Sequence, residues 1–319
     1  MRRPRSAAAL ALSALAAAFG LAPGLAPAPA SAADCDGRLV EGPMILGGPV
    51  CVPVDPQRIL VLDPTFSLGM GLELGLPLVG APLVGMSDDA LRARAEAAGV
   101  ESIGAFVEPS LETVAALQPD LILGAGMLGE TALAMASRIA PTVLIGAENW
   151  KDYYRILARA TGRGAEAEAI LAEYEARAQA LRARVSRAPV SVLRITTWDF
   201  QVYLDSPRAY GPFLVLRDAG VVRPPFETAQ GDETLRRPDW EELAGLSGET
   251  LLYIVGGAND SDTNGRLDEV LAHPLWRALP AVKAGRAHRV DAGTWMEFSG
   301  AASAHRVLDD VERYLLAAE

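Results

Sequence analysis

The chain is poor in the groups that most enzyme chemistry needs. It has three histidines, His273, His288 and His305, and none has a His or Cys partner at metal-ligand spacing, which argues against a zinc site. No GxSxG and no GxxxxGKS/T occurs, so a nucleophile elbow and a P-loop are excluded. Gly69, Gly71 and Gly75 follow the first strand-like run, but as GxGxxxG and six residues after Asp63. A dinucleotide site wants its glycines in the first turn. Basic residues are outnumbered, 29 against 40 acidic ones, so nucleic acid and anionic membrane surfaces are poor partners. Past the N-terminal segment no apolar run is long enough to span a bilayer.

That N-terminal segment reads as a targeting signal. Arg2, Arg3 and Arg5 precede an Ala/Leu-rich run, and a Pro-rich stretch ends in Ala30-Ser31-Ala32. A charged start, an apolar middle and a small-residue end make a secretory signal peptide, expected to be cleaved near Ala32. Removing its three Arg takes the basic count from 29 to 26 against 40 acidic residues, a net of −14. Export permits a disulfide, and Cys35 and Cys51 are the two cysteines present. They flank a Gly/Pro-rich loop, and their bridge is expected to pin the N-terminal tail to the first strand. A lipidated Cys35 is the rival reading. Asp34 opposes it, being charged where that processing wants a small residue.

The most regular stretch runs from Ala165 to Ser186 and holds no Gly or Pro. Ala167, Leu171, Tyr174, Ala178, Leu181 and Val185 recur at steps of four and three, one apolar stripe on a helix. Acidic residues gather at its start and arginines at its end, which complements the helix dipole. Such a helix is roughly 33 Å long, the width of a small domain. Strand and helix signals alternate on both sides of it, a pattern that predicts parallel strands covered by helices. PSLETVAAL from Pro109 and PDWEELAGL from Pro238 share Pro, Glu, Ala and Leu at a constant offset of 129, and each is followed by a strand run. The expected architecture is α/β: two α/β lobes with mainly parallel sheets, joined by one long backbone helix, with a ligand cleft between them. The boundaries are a signal at 1–32, lobes at 33–163 and 188–319, and the helix at 164–187.

Strand-end loops of α/β lobes face the ligand crevice. Phe66 and Met86 follow strands in the first lobe, and Trp198, Arg208, Tyr210 and Trp295 occupy loops in the second. Arg194 interrupts an apolar strand, and a half-buried guanidinium needs an anionic partner, internal or from a ligand. An enzyme reading would use a carboxylate pair in the cleft, Glu227 with Asp232.

The stretches PQRILVLD, ELGLPLVG, PSLETVAALQPDLIL, ATGRGAEAEAILAEY, VSVLRI, FLVLRDAGVVRP and VLDDVERYLL resemble the periplasmic substrate-binding proteins of iron–siderophore ABC transporters, with the related cobalamin and haem binders. The resemblance spans essentially all of the sequence after the signal. It implies a ferric siderophore held between lobes that move little, a monomer without catalysis, cofactor or metal of its own, and delivery in the periplasm to an inner-membrane permease dimer. It also implies one docking glutamate per lobe, at Glu112 and Glu241. A haem or cobalamin ligand is the alternative within the class, with Tyr210 the available kind of haem axial ligand.

Overall fold

The computed structural model describes residues 35–257 and 259–316. The expected signal peptide lies outside the described residues. The chain opens with a hairpin, β1 (Arg38–Val40) and β2 (Val50–Val52), and Cys35 and Cys51 form a disulfide across it.

The first lobe then alternates strands and helices. Its elements are β3 (Ile59–Val61), α1 (Phe66–Glu73), β4 (Leu78–Ala81), α2 (Asp89–Ala97), β5 (Glu101–Ser102), the short hairpin β6 (Gly104–Ala105) and β7 (Glu108–Pro109), α3 (Leu111–Ala116), β8 (Leu121–Ala125), α4 (Gly129–Ala136), β9 (Thr142–Ile145) and α5 (Trp150–Thr161). The five main strands lie in the order β5-β4-β3-β8-β9 and pair parallel throughout. The side chains of β3, β8 and β9 are buried on both faces, which is why ILV, LILG and TVLI read as continuous apolar runs rather than alternating ones, while the edge strand β5 is exposed. The chain crosses from one side of β3 to the other after β5, so the topological switch lies between β3 and β8.

Gly162 ends α5 in the left-handed conformation (φ 76°), and α6 (Gly164–Arg182) follows. All six residues of the sequence stripe, Ala167 to Val185, are buried, but α6 ends at Arg182, short of the expected 187, and Val185 lies beyond it, bridged to Leu316. The stripe packs α6 against helices of both lobes. The Tyr174 hydroxyl donates to Asp218 (2.8 Å), and Lys151 of α5 meets the same carboxylate at 2.9 Å.

The second lobe holds β10 (Val190–Ile195), β11 (Phe200–Tyr203), α7 (Gly211–Asp218), β12 (Leu235–Arg236), β13 (Thr250–Val255), α8 (Arg266–Ala272), α9 (Pro274–Ala278), α10 (Pro280–Lys283), β14 (Ala287–Val290), α11 (Ala292–Met296) and α12 (Ala301–Tyr314). Its sheet runs β12-β11-β10-β13-β14. The β10, β13 and β14 strands are parallel, while β11 turns back antiparallel on β10, pairing Arg194 with Gln201.

The internal repeat diverges here. A helix is expected at 238–246, matching the one at 109–118. The first copy is the α-helix α3, capped by the Ser110 hydroxyl on the Thr113 N–H (3.2 Å). The second closes only a 3₁₀ turn, Glu242–Gly245, although Asp239 and Glu242 cap each other reciprocally at 2.9 and 3.0 Å. Gly245 stands where the first copy has Ala116. Glycine lowers helix propensity by about 1 kcal/mol relative to alanine, and at this position the Phe226 ring fills the space a Cβ would take.

Three carboxylate links join the lobes behind the cleft. Glu297 accepts from the Ser87 and Asp88 N–H groups at 2.7 Å. Glu73 accepts from the first N–H groups of α12, Ala301 (3.1 Å) and Ala302 (2.8 Å), where the helix dipole favours an anion. Arg306 meets Asp88 at 2.6 Å. Between them Gly69 approaches Ser299 so closely that a Cβ would lie 2.3 Å from its carbonyl oxygen.

Candidate functional site

The strand ends that reach the switch points define a cleft of about 590 Å³ between the two sheets. From the first lobe come Asp63 to Phe66 after β3, Phe106 from the β6–β7 turn, Ala125 to Met127 after β8, Ile145 to Ala147 after β9, and Tyr153 of α5. The second lobe contributes Arg194, Tyr203, Tyr210 and Met296.

Arg194 sits near the end of β10, on the face that carries Val190 and Val192 deeper in the core. The cleft opens where that face would need another apolar residue. Its Nη1 reaches Gln201 Oε1 at 3.3 Å and the Tyr203 hydroxyl at 3.4 Å, both long contacts to neutral groups. Its Nε is buried and has no hydrogen-bond partner. Among the described residues no carboxylate is paired with this guanidinium, although it is half-buried. A ligand oxygen is what such a group lacks.

Across the cleft Asp63 is buried at the start of α1. It accepts from the Ser67 N–H (3.0 Å), from Thr65 Oγ1 (3.3 Å) and from the Tyr153 hydroxyl (3.3 Å). Burial pushes its carboxyl above the usual range, and these hydrogen bonds only partly offset that. Tyr153 is itself pushed well up by burial and by the neighbouring Asp63.

Aromatic rings make the walls. Phe66 lies 5.2 Å from Tyr153 and 6.2 Å from Phe298, and Tyr203 stacks on Phe213 at 4.5 Å. The Tyr210 hydroxyl donates to the Met296 carbonyl and accepts from the Phe298 N–H, each at 3.0 Å. Its one proton is used in holding the 296–298 segment, and burial raises its pKa. Tyr210 therefore offers the cleft a ring face, and serving as a haem axial phenolate would require it to give up its donor bond to Met296.

Of the residues picked from the sequence, Phe66, Arg194 and Tyr210 come together in the cleft. Four lie elsewhere. Trp295 has no exposed surface; it packs edge-on against Phe213 at 5.9 Å and donates its Nε1–H to Asp310 at 2.8 Å, because the α11 turn points it into the core. Met86 is a core residue of the first lobe. Trp198 is 69% exposed in the β10–β11 turn and does not line the cleft. Arg208 is taken up by Glu148 (3.1 Å) and Asp232 (3.4 Å). The carboxylate pair of the enzyme reading also dissolves: Glu227 is buried against Arg223, while Asp232 lies at the surface. Asp63, Phe106, Tyr153 and Met296 were not foreseen. Asp63 and Phe106 were legible in principle as strand-end positions, whereas Tyr153 comes from a helix whose pattern only says that it is buried.

Glu112 and Glu241 are both exposed, in the first turns of the two repeat copies.

A two-lobed α/β frame with a cleft at both switch points defines a binding protein. Residues 68–292 match the family described as periplasmic binding protein, and the chain belongs to that family. Over 279 residues it is 29% identical to the probable siderophore-binding lipoprotein YfiY of Bacillus subtilis, covering 83% of this chain and 84% of the relative. It is 26% identical over 224 residues to the achromobactin-binding periplasmic protein of Dickeya dadantii, covering 68% and 72%. Among solved structures, Staphylococcus aureus SirA complexed with staphyloferrin B superposes with a TM-score of 0.76 at 21% identity, over 87% of this chain and 98% of that one. Bacillus subtilis FeuA complexed with ferri-bacillibactin gives 0.71 at 20% identity, over 87% and 97%. These two likenesses establish the fold.

Proposed function

We propose that this protein is the substrate-binding component of an ABC importer, which captures a ferric siderophore outside the inner membrane and hands it to the permease. The observation that carries the reading is Arg194: a half-buried guanidinium with no carboxylate, facing a cleft walled by aromatic rings. Ferric chelates present oxygen atoms on a compact apolar body, and a guanidinium meets such oxygens with directed donors. The names of the relatives, siderophore-binding and achromobactin-binding, support the same ligand class.

In this reading residues 33–163 and 188–319 are the two halves of the ligand clamp, and 164–187 is the strut that fixes their spacing. Glu112 and Glu241 are the docking points for the two permease subunits. The protein works in the periplasm after its signal is removed, and Cys35, with its sulfur in the bridge to Cys51, has no thiol free to carry a lipid. The cleft has a polar end and apolar walls, which suits holding a chelate.

The test is a fluorescence titration of the exported protein with ferric and iron-free siderophores, haem and cobalamin. Saturable quenching by ferric siderophores is expected. Preference for haem or cobalamin would overturn the reading, as would turnover of a ligand.

A further inference from the structure

The charge of the cleft narrows the kind of chelate it takes. Arg194 is the one cationic side chain among the described residues that line it. Arg208, paired with Glu148 and Asp232, and Arg237, paired with Asp199, do not line it. The other ionisable lining group that bears on the balance is Asp63, which contributes a negative charge or none. The lining therefore carries a formal charge of plus one at most. Its walls are Phe66, Phe106, Tyr203, Tyr210, Met127 and Met296, and the Tyr210 hydroxyl has no proton left to donate to a ligand.

The iron-binding groups of siderophores differ sharply in charge. Three hydroxamates, each a monoanion, neutralise Fe(III). Two hydroxamates with one α-hydroxycarboxylate leave a single negative charge. Three catecholate dianions leave three. Moving a trianion into an apolar cleft that holds one guanidinium would strand two charges without partners, and unpaired charges are costly to desolvate. We propose that the ligand of this cleft is a hydroxamate-bearing ferric chelate whose net charge is zero or minus one, and that tris-catecholate complexes are rejected. Arg194 and the Tyr203 hydroxyl then meet the hydroxamate oxygens, and the rings and methionines pack against the aliphatic links between them. This inference rests on the siderophore reading above and specifies its ligand.

The experiment titrates the exported protein, by intrinsic fluorescence, with two neutral trihydroxamates (ferrichrome and ferrioxamine E), with the mono-anionic ferric schizokinen, which has two hydroxamates and one α-hydroxycarboxylate, with ferric enterobactin and with ferric dicitrate. At least one of the three hydroxamate chelates should bind about 100-fold or more tighter than ferric enterobactin, a difference of about 2.7 kcal/mol. Equal or tighter binding of ferric enterobactin or ferric dicitrate would overturn the ligand class while leaving the siderophore reading intact. Failure of all five chelates would remove both. A second arm adds a cation at Met127, an exposed cleft-lining position where the fold is not at risk. Met127→Lys removes a wall contact for either ligand, so the readout is selectivity: the affinity ratio of ferric enterobactin to the bound hydroxamate chelate should shift by about tenfold toward the catecholate. An unchanged ratio would show that charge is not what excludes it.

Discussion

The lobes agree on their outer face and disagree at the cleft. Outside, each presents a Pro-led, capped turn with an exposed glutamate, Glu112 in one and Glu241 in the other. Inside, the main sheet of the first lobe is wholly parallel, and its strand ends deliver small residues, rings and a buried carboxyl. The second lobe folds β11 back antiparallel beside β10. That turn sets Gln201 and Tyr203 next to Arg194 and supports a guanidinium that a buried parallel strand could not easily hold. Likeness outside suits a partner with two similar halves, and difference inside suits a ligand that needs one polar end.

The sharpest way to break the outer symmetry is to reverse both charges. The Glu112→Lys/Glu241→Lys double variant should abolish uptake in cells while folding and ligand affinity stay nearly intact. Exposed charge pairs steer docking and weaken with salt, so each single variant should retain partial uptake. Normal transport by the double variant would reduce both residues to helix-end groups worth about 0.3–1 kcal/mol each.

Next in size is a difference in how the lobes are held together internally. The second lobe buries an ion pair, Arg223 with Glu227, and Glu227 also accepts from the Val192 N–H of β10 at 2.9 Å. Among the described residues the first lobe has no pair so deeply buried. Glu227→Ala would leave a buried guanidinium without its partner, and removing one member of such a pair costs about 3–5 kcal/mol. Denaturant unfolding should register that loss. A loss under about 1 kcal/mol would mean that the pair is not a structural tie.

Within the cleft, Arg194→Ala should weaken ferric chelate binding about tenfold or more, or about 1.4 kcal/mol, without loss of thermal stability. Unchanged affinity together with reduced stability would assign Arg194 to internal packing with Gln201 and Tyr203.

Much of this arrangement was legible before the structure. The α6 stripe and the strand runs follow from periodicities of 3.6 and 2 and from turn residues, which are local properties. The pairing of Cys35 with Cys51 follows from there being two cysteines. Arg194 stood out because a charge inside an apolar strand is locally anomalous. Trp295 and Met86 were misplaced for the opposite reason: an apolar residue after a strand looks the same whether its loop turns it toward the cleft or into the core. Trp295 turns inward because α11 winds one turn there and Asp310 of α12 receives its N–H. Tyr153 became a cleft residue through the packing of α5 on α1, which no spacing within α5 records. Gly245 was readable as the reason the second repeat copy tightens, since it replaces the alanine of the first.

The smallest expected effect isolates the carboxyl of the first lobe. Burial raises the pKa of Asp63 in the folded state above its unfolded value. The folded protein therefore holds the proton more firmly than the unfolded chain does. Linkage then requires stability to fall as pH rises from the ordinary carboxylate range through the raised folded value, and to level off above it. Asp63→Asn removes this group's share of the slope but keeps an oxygen that can accept from the Ser67 N–H. The difference in Tm between variant and wild type should shift in favour of the Asp63→Asn protein across that window and stay constant beyond it. Glu73, also raised by burial, is present in both proteins and cancels in the difference. Affinity for a ferric chelate should change less than threefold or so, well below the effect of Arg194→Ala. A Tm difference that does not vary with pH would show that Asp63 titrates alike in the folded and unfolded chain. An affinity loss as large as that of Arg194→Ala would make the two sides of the cleft equal partners in holding the ligand.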